Sequence, residues 1–161
     1  MDAVITELSG TATPLWVIAL RFVAACVLGG LIGLEREIRG KAAGLRTHIM
    51  VALAAAAFTV LTYETFESHL DDAANADPLR LVEAIVAGVA FLGAGAIIRG
   101  NGDVQGITTG TGIWVAGAVG FACGLGYLAI AAMITVLSLA VLALLGRVSH
   151  DIAKDEHHHD A

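Results

Sequence analysis

LWVIALRFVAACVLGGLIGL, residues 15–34, decides the fold. Arg21 is the one ionisable side chain in it, and its apolar residues leave no polar stripe at helical spacing. A helix that is apolar all round must be buried, in a large core or in lipid. About 20 such residues span a hydrocarbon layer of roughly 30 Å. Four more apolar runs follow: 45–63, 79–98, 107–123 and 126–145. With no water to satisfy backbone groups, runs of this kind are helices. The expected architecture is all-α and polytopic, with about five transmembrane helices. A transmembrane domain over 15–146 would then lie between an external tail, 1–14, and a polar cytoplasmic tail, 147–161, expected to be partly disordered.

Composition agrees. Of the 161 residues, 57% are hydrophobic and 15% are charged, and the mean hydropathy is +0.80. Soluble domains carry roughly 25% charged residues. The net charge of −6 argues against a nucleic-acid partner. Cys26 and Cys123 fall in apolar runs and read as packing residues, not a disulfide framework. The first residues lack Lys and Arg, so no cleavable signal peptide is expected.

Orientation follows from the basic residues. Arg36, Arg39, Lys41, Arg46, Arg99, Arg147 and Lys154 fall in connections that share one side of a five-span chain. Asp2, Glu7 and the acidic segment Glu64 to Asp77 fall on the other. The N-terminus is expected outside and the C-terminus in the cytoplasm.

Helices in lipid associate where small residues let their backbones approach. Gly29 and Gly33 on the first helix, Gly88, Gly93 and Gly95 on the third, and Gly112 and Gly120 on the fourth are expected at helix–helix contacts. The column on the fourth can serve a dimer as well as an internal contact, which leaves a homo-oligomer open. Nucleotide motifs fail: Gly93-Ala94-Gly95 has Ile98 where a dinucleotide fingerprint needs glycine, and GITTGTG lacks the Gly-Lys-Ser/Thr of a P-loop.

Two sets of ionisable residues are functional candidates. Arg21 and Glu83 lie at similar depth near the outer boundary. They can form an intramembrane pair; alternatively Arg21 snorkels outward, or Glu83 serves a cation or a proton. At the cytoplasmic face, Glu35, Arg36, Arg46, Thr47, His48, Arg99, Thr108 and Thr109 gather at helix ends. A network that fixes the loops, a site for an anion, lipid head group or acidic helix, and a hard-cation site at Glu35 are the alternatives. His150 and His157–His159 lack the spacing of a structural zinc site, and no metal or other cofactor is expected.

Three blocks carry a family resemblance: GLEREIRGKAAGLRTHIMVAL (33–53), DPLRLVEAIVAGVAFLGAGAIIR (77–99) and GITTGTGIWVAGAVGFACGLG (106–126). In this order and spacing they resemble the MgtC/SapB family of bacterial inner-membrane proteins. The family pattern runs through Gly33, Glu35, Arg36, Gly44–Thr47, Asp77, Pro78, Arg80, Gly88, Phe91–Gly95, Gly106, Thr108, Thr109 and Trp114. The chain departs from it at Val89-Ala90, at Glu83-Ala84 where relatives often carry glutamine, and at Gly110-Thr111. It resembles the short form, without the soluble C-terminal domain that many relatives carry. The resemblance implies a multi-pass inner-membrane location, adaptation to magnesium limitation and survival of pathogens inside cells. It also implies, for some members, restraint of the F-type ATP synthase. No nucleophile–base pair is evident, so the expected function is a non-enzymatic regulatory or partner-binding module. The alternative is a transporter or channel for Mg²⁺ or another cation.

Overall fold

A computed structural model describes residues 10–68, 79–100 and 103–159. It contains five helices: α1 (Leu15–Ile38), α2 (Leu45–Ser68), α3 (Leu79–Gly95), α4 (Ile107–Gly124) and α5 (Leu128–His159). A two-stranded antiparallel hairpin, β1 (Ile98–Gly100) and β2 (Asp103–Gln105), joins α3 to α4. The protein is an all-α polytopic membrane protein apart from this short hairpin. Helices α1, α2 over Leu45–Glu67, and α4 are long and apolar enough to cross a membrane. Val82–Gly95 and Leu128–Leu144 are shorter apolar helical stretches.

Several boundaries differ from the sequence reading. Both α1 and α2 run past Leu34 and Tyr63, because no helix breaker follows those residues. The third helix ends at Gly95, not Ile98. There the N–H groups of Ala96 and Ile97 donate to the carbonyls of Gly93 and Ala94, and the chain turns into the hairpin. Gly100 pairs with Asp103, and the sequence between them reads Asn-Gly, a dipeptide that favours tight hairpin turns. Arg99 therefore lies on β1 and not at a helix end. The 17 described residues of α3 cover about 25 Å. The last helix starts at Leu128 and its backbone continues to His159, through the stretch expected to be a partly disordered tail. No proline interrupts that stretch, and its Ala, Lys and Glu are good helix formers.

The turns have recognisable causes. At the end of α1, Gly40 donates to the Glu37 carbonyl and Lys41 to the Arg36 carbonyl. At the end of α4, Gly126 donates to Cys123 and Tyr127 to Ala122. Both are Schellman caps, with a glycine at φ +63° and +86° respectively, a left-handed conformation that costs glycine little. The second cap folds α5 directly back beside α4.

Helix α4 is the hub: α1, α2, α3 and α5 all pack on it, and α1 also packs closely on α2. Small residues dominate the core, with Ala25, Ala52, Ala56, Ala122, Cys123 and Ala131 around Ile32 and Val119. Glycines set the spacing. A Cβ on Gly120 would overlap the Ala52 carbonyl, one on Gly29 would come within 2.6 Å of the Ala52 Cβ, and one on Gly124 within 2.6 Å of the Thr59 Cβ. Gly93 and Gly110 bring α3 against α4 in the same way, a Cβ on Gly93 meeting the Gly110 carbonyl at 3.0 Å. Gly88 and Gly95 differ from expectation: nothing lies within 4 Å of a Cβ at either, and both are exposed. The buried hydroxyls of Thr59 and Thr135 donate to carbonyls four residues back and so need no partner from another helix.

Candidate functional site

The end that bears the basic loop is built around His48. This imidazole is fully buried in α2, in a seat shaped by two glycines. A Cβ on Gly33 of α1 would meet the His48 Cβ at 2.9 Å, and one on Gly112 of α4 would stand 3.1 Å from Nε2. Only helices without side chains at these two positions can close around the ring. His48 Nδ1 donates to the Gly44 carbonyl at 2.8 Å, since a carbonyl can only accept. In the neutral ring Nε2 then carries the lone pair.

One turn from Gly33, Arg36 is 3% exposed. Its Nη1 lies 3.8 Å from Glu35 Oε2, while the other Glu35 oxygen pairs with Arg39 one turn on. One turn from Gly112 towards the same end, Thr109 is buried. Arg36 Nε and Nη2 and His48 Nε2 are buried without a hydrogen-bond partner, while the Glu35 oxygens face Arg36 and Arg39. Buried polar atoms are rarely left so.

The other candidates at this end stand apart. Arg46, Thr47 and Thr108 are exposed. The side chain of Arg99 lies outside the described residues, as do Asp77 and Pro78. Of the eight residues expected to form a cytoplasmic-face site, the structure thus gathers Glu35, Arg36, His48 and Thr109 as buried or half-buried groups. One contributor was missed. Glu37 Oε2 accepts from the Leu45 N–H at 2.6 Å and so caps α2 from the preceding helix. Its carboxylate also lies where a Cβ on Gly44 would be.

At the opposite end Arg21 does not meet Glu83. Arg21 Nη1 donates to the Gly124 carbonyl at 2.9 Å, across the turn that joins α4 to α5. Glu83 is exposed on α3, which packs on α4 and touches α2. Arg21 is therefore a clamp on the end of α4. Glu64 makes a similar tie, accepting from the N–H groups of Ala12 and Thr13 and holding the chain before α1 against the end of α2. Among the described residues no three His, Cys, Asp or Glu side chains are grouped to hold a metal ion.

An apolar groove of about 370 Å³ opens between α2 and α3. Val51, Ala54, Ala55 and Phe58 form one wall, and Ala84, Ile85, Gly88, Val89 and Leu92 the other.

Comparison with known proteins sets this geometry in a family. Residues 22–150 match the model of the MgtC family. The chain belongs to the MgtC family. It is 43% identical over 131 residues to Protein MgtC of Brucella abortus, which covers 78% of this chain and 52% of that protein. With Protein MgtC of Salmonella typhimurium the identity is 37% over 133 residues, 83% of this chain and 54% of that protein. YhiD of Escherichia coli K12, which carries a provisional magnesium-transporter name, is 34% identical over 140 residues, 86% of this chain and 65% of that protein. The chain thus spans between about half and two thirds of the curated relatives it matches. No solved structure matches it. The MgtC match includes the His48 seat, the groove and most of α5.

Proposed function

We propose that this MgtC-family chain is a regulatory module of the bacterial inner membrane that acts by binding a transmembrane helix of another membrane protein, without catalysing a reaction. The observation that carries this reading is the groove between α2 and α3. Ala84 and Gly88 on its α3 wall are exposed, and nothing lies within 4 Å of a Cβ at Gly88. Helices in lipid pair through such small-residue faces, where backbones can approach closely. Elsewhere in the bundle the same kind of face is already covered, as Gly120 is by Ala52. The basic-loop end faces the cytoplasm in this reading, by the distribution of Lys and Arg. Magnesium limitation is the condition in which loss of the protein is expected to matter. The F-type ATP synthase, the partner that the family resemblance implies, is the first candidate.

A photo-crosslinking residue placed at Phe58, an exposed residue of the α2 wall, in native membranes tests the reading. A discrete adduct with a transmembrane segment of a defined protein, lost when Ala84 is enlarged to leucine, is expected. Adducts with lipid alone would overturn it. The second reading, cation transport, is favoured by the name of the Escherichia coli relative. It requires that the purified chain carry Mg²⁺ across a liposome bilayer, with the flux lost in Glu83→Gln.

A further inference from the structure

Three aromatic side chains with a polar tip stand at the end opposite the basic loop. Trp16 on the first turn of α1 is 71% exposed, Tyr63 in the last turns of α2 44%, and Tyr127 at the α4–α5 turn 57%. They comprise both tyrosines of the chain and one of its two tryptophans. Among the described residues none of the three tips has a hydrogen-bond partner. The three also share a level. Gly29 lies against Ala52 and Gly33 against Leu45, and that antiparallel register, carried to the far end, sets Trp16 level with Tyr63. On the parallel pair α2 and α4, Gly120 lies against Ala52 and Gly124 against Ala56, which brings Tyr127 within about one turn of the same level. Two ties fix this end: Glu64 accepts from the N–H groups of Ala12 and Thr13, and Arg21 donates to the Gly124 carbonyl.

The distance to the other end decides what this ring meets. About 20 helical residues rise about 30 Å, the thickness of a hydrocarbon layer. That length leads from Trp16 to Arg36 near the end of α1, from Tyr127 back to Ile107 where α4 begins, and from Tyr63 back to the loop just before α2. Three helices thus give the same span from the ring to the basic end. An aromatic body with a polar tip suits the interface, where the body faces acyl chains and the tip meets water and head groups. We propose that Trp16, Tyr63 and Tyr127 form a girdle that docks the bundle into the lipid head-group layer at the end opposite the basic loop. One hydrocarbon boundary then passes through these three residues and the other through Arg36 and Ile107. Counted from Tyr127, the same thickness ends at position 147 of α5, and the helical backbone from there to His159 stands outside the hydrocarbon. Trp114 is the internal contrast: it is 48% exposed on α4 and about 20 Å below the level of Tyr127, close to the middle of the layer. The proposal goes beyond the helix-binding reading and does not depend on it.

Trp114→Phe and Trp16→Phe each leave one tryptophan in the full chain. Both variants are reconstituted into phosphatidylcholine vesicles whose chains are brominated either near the head group or near the terminal methyl. Trp16 fluorescence should be quenched about twofold more by the shallow bromine than by the deep, and Trp114 should show the reverse order. Trp16 quenched by neither lipid would mean that water or protein surrounds it, and Trp16 quenched best by the deep bromine would put the boundary elsewhere; either result, or the same depth profile for both tryptophans, overturns the proposal. The unaltered chain gives a second measure that needs no variant to fold. Its thermal unfolding midpoint should be highest in bilayers with a hydrocarbon layer of about 30 Å and lower in layers about 8 Å thinner or thicker. A midpoint that climbs steadily with thickness would overturn the assigned boundaries. Trp16→Leu, Tyr63→Leu and Tyr127→Leu combined keep apolar bulk but remove the polar tips, and should flatten that optimum; an optimum of undiminished sharpness would mean that the aromatics do not set the depth.

Discussion

Helix α2 makes two contacts of opposite kinds. Towards α1 and α4 it is closed by glycines: Gly29, Gly33, Gly120 and Gly124 lie against its backbone or against Ala52, His48 and Thr59. Towards α3 it faces a groove of about 370 Å³ instead of a seam. Small residues occur on both sides, Ala54, Ala55, Ala84 and Gly88 among them on the groove, so their presence alone does not decide whether a face is used inside the bundle. What differs is the partner. The closed face meets backbone and alanine at matching positions. On the open face Phe58 is 60% exposed, and Ala84 and Gly88 across the groove are uncovered. The closed region therefore carries the stability of the fold, and the open one is where the proposed partner helix would bind.

The sharpest way to break this contrast is to add the same bulk to both sides. Gly120→Leu drives a side chain into the Ala52 carbonyl and should cost about 3 kcal/mol or more, within the upper range for overpacked cores. Little folded protein should survive extraction, as read by size-exclusion chromatography and thermal unfolding. Gly88→Leu meets open space, so stability should change by less than about 1 kcal/mol, chiefly through helix propensity, while the crosslinked adduct at the groove is lost. Equal damage from the two substitutions would mean that the groove is structural.

Next in size is the cap on α2. Glu37→Gln keeps an acceptor for the Leu45 N–H but removes its charge, at the positive end of a 24-residue helix. A loss of about 1 kcal/mol is expected, and Glu37→Ala should lose about twice that. Hydrogen exchange at the first turn of α2 would localise the effect. Arg21→Leu comes next: it removes the donor to the Gly124 carbonyl and should cost about 1 kcal/mol, with exchange rising at the α4–α5 turn and not at the His48 seat.

Much of this was legible in the sequence. Apolar run length located all five helices, because lipid demands length and tolerates few charges. The closed glycines at 29, 33, 112 and 120 were legible from their spacing along single helices. Gly88 has similar spacing and stands open, because spacing shows which face is small but not what lies opposite. The end of α3 was misplaced because Ile97 and Ile98 continue the apolar run, although Asn101-Gly102 already signals a hairpin. The Arg21–Glu83 pair was inferred from equal depth, and depth leaves rotation about the bundle undetermined. Glu37 was overlooked for a similar reason: its partner is a backbone N–H across a loop, which no side-chain pattern encodes.

The smallest expected effect bears most directly on α3. Glu83 is exposed and joins no ion pair among the described residues. Surface substitutions of this kind change stability by less than about 0.5 kcal/mol. Glu83→Gln should therefore unfold at the wild-type temperature. Because the fold is untouched, the same variant separates the two functional readings. A helix-binding module should keep its crosslinked adduct at Phe58, since neither the groove lining nor its small residues change. A cation pathway through α3 should lose flux, because a neutral amide cannot replace an intramembrane carboxylate as a charge carrier's partner. A loss of stability well above 0.5 kcal/mol would instead mean that Glu83 has a buried cationic neighbour in the membrane, and α3 would then belong with the closed side of the bundle.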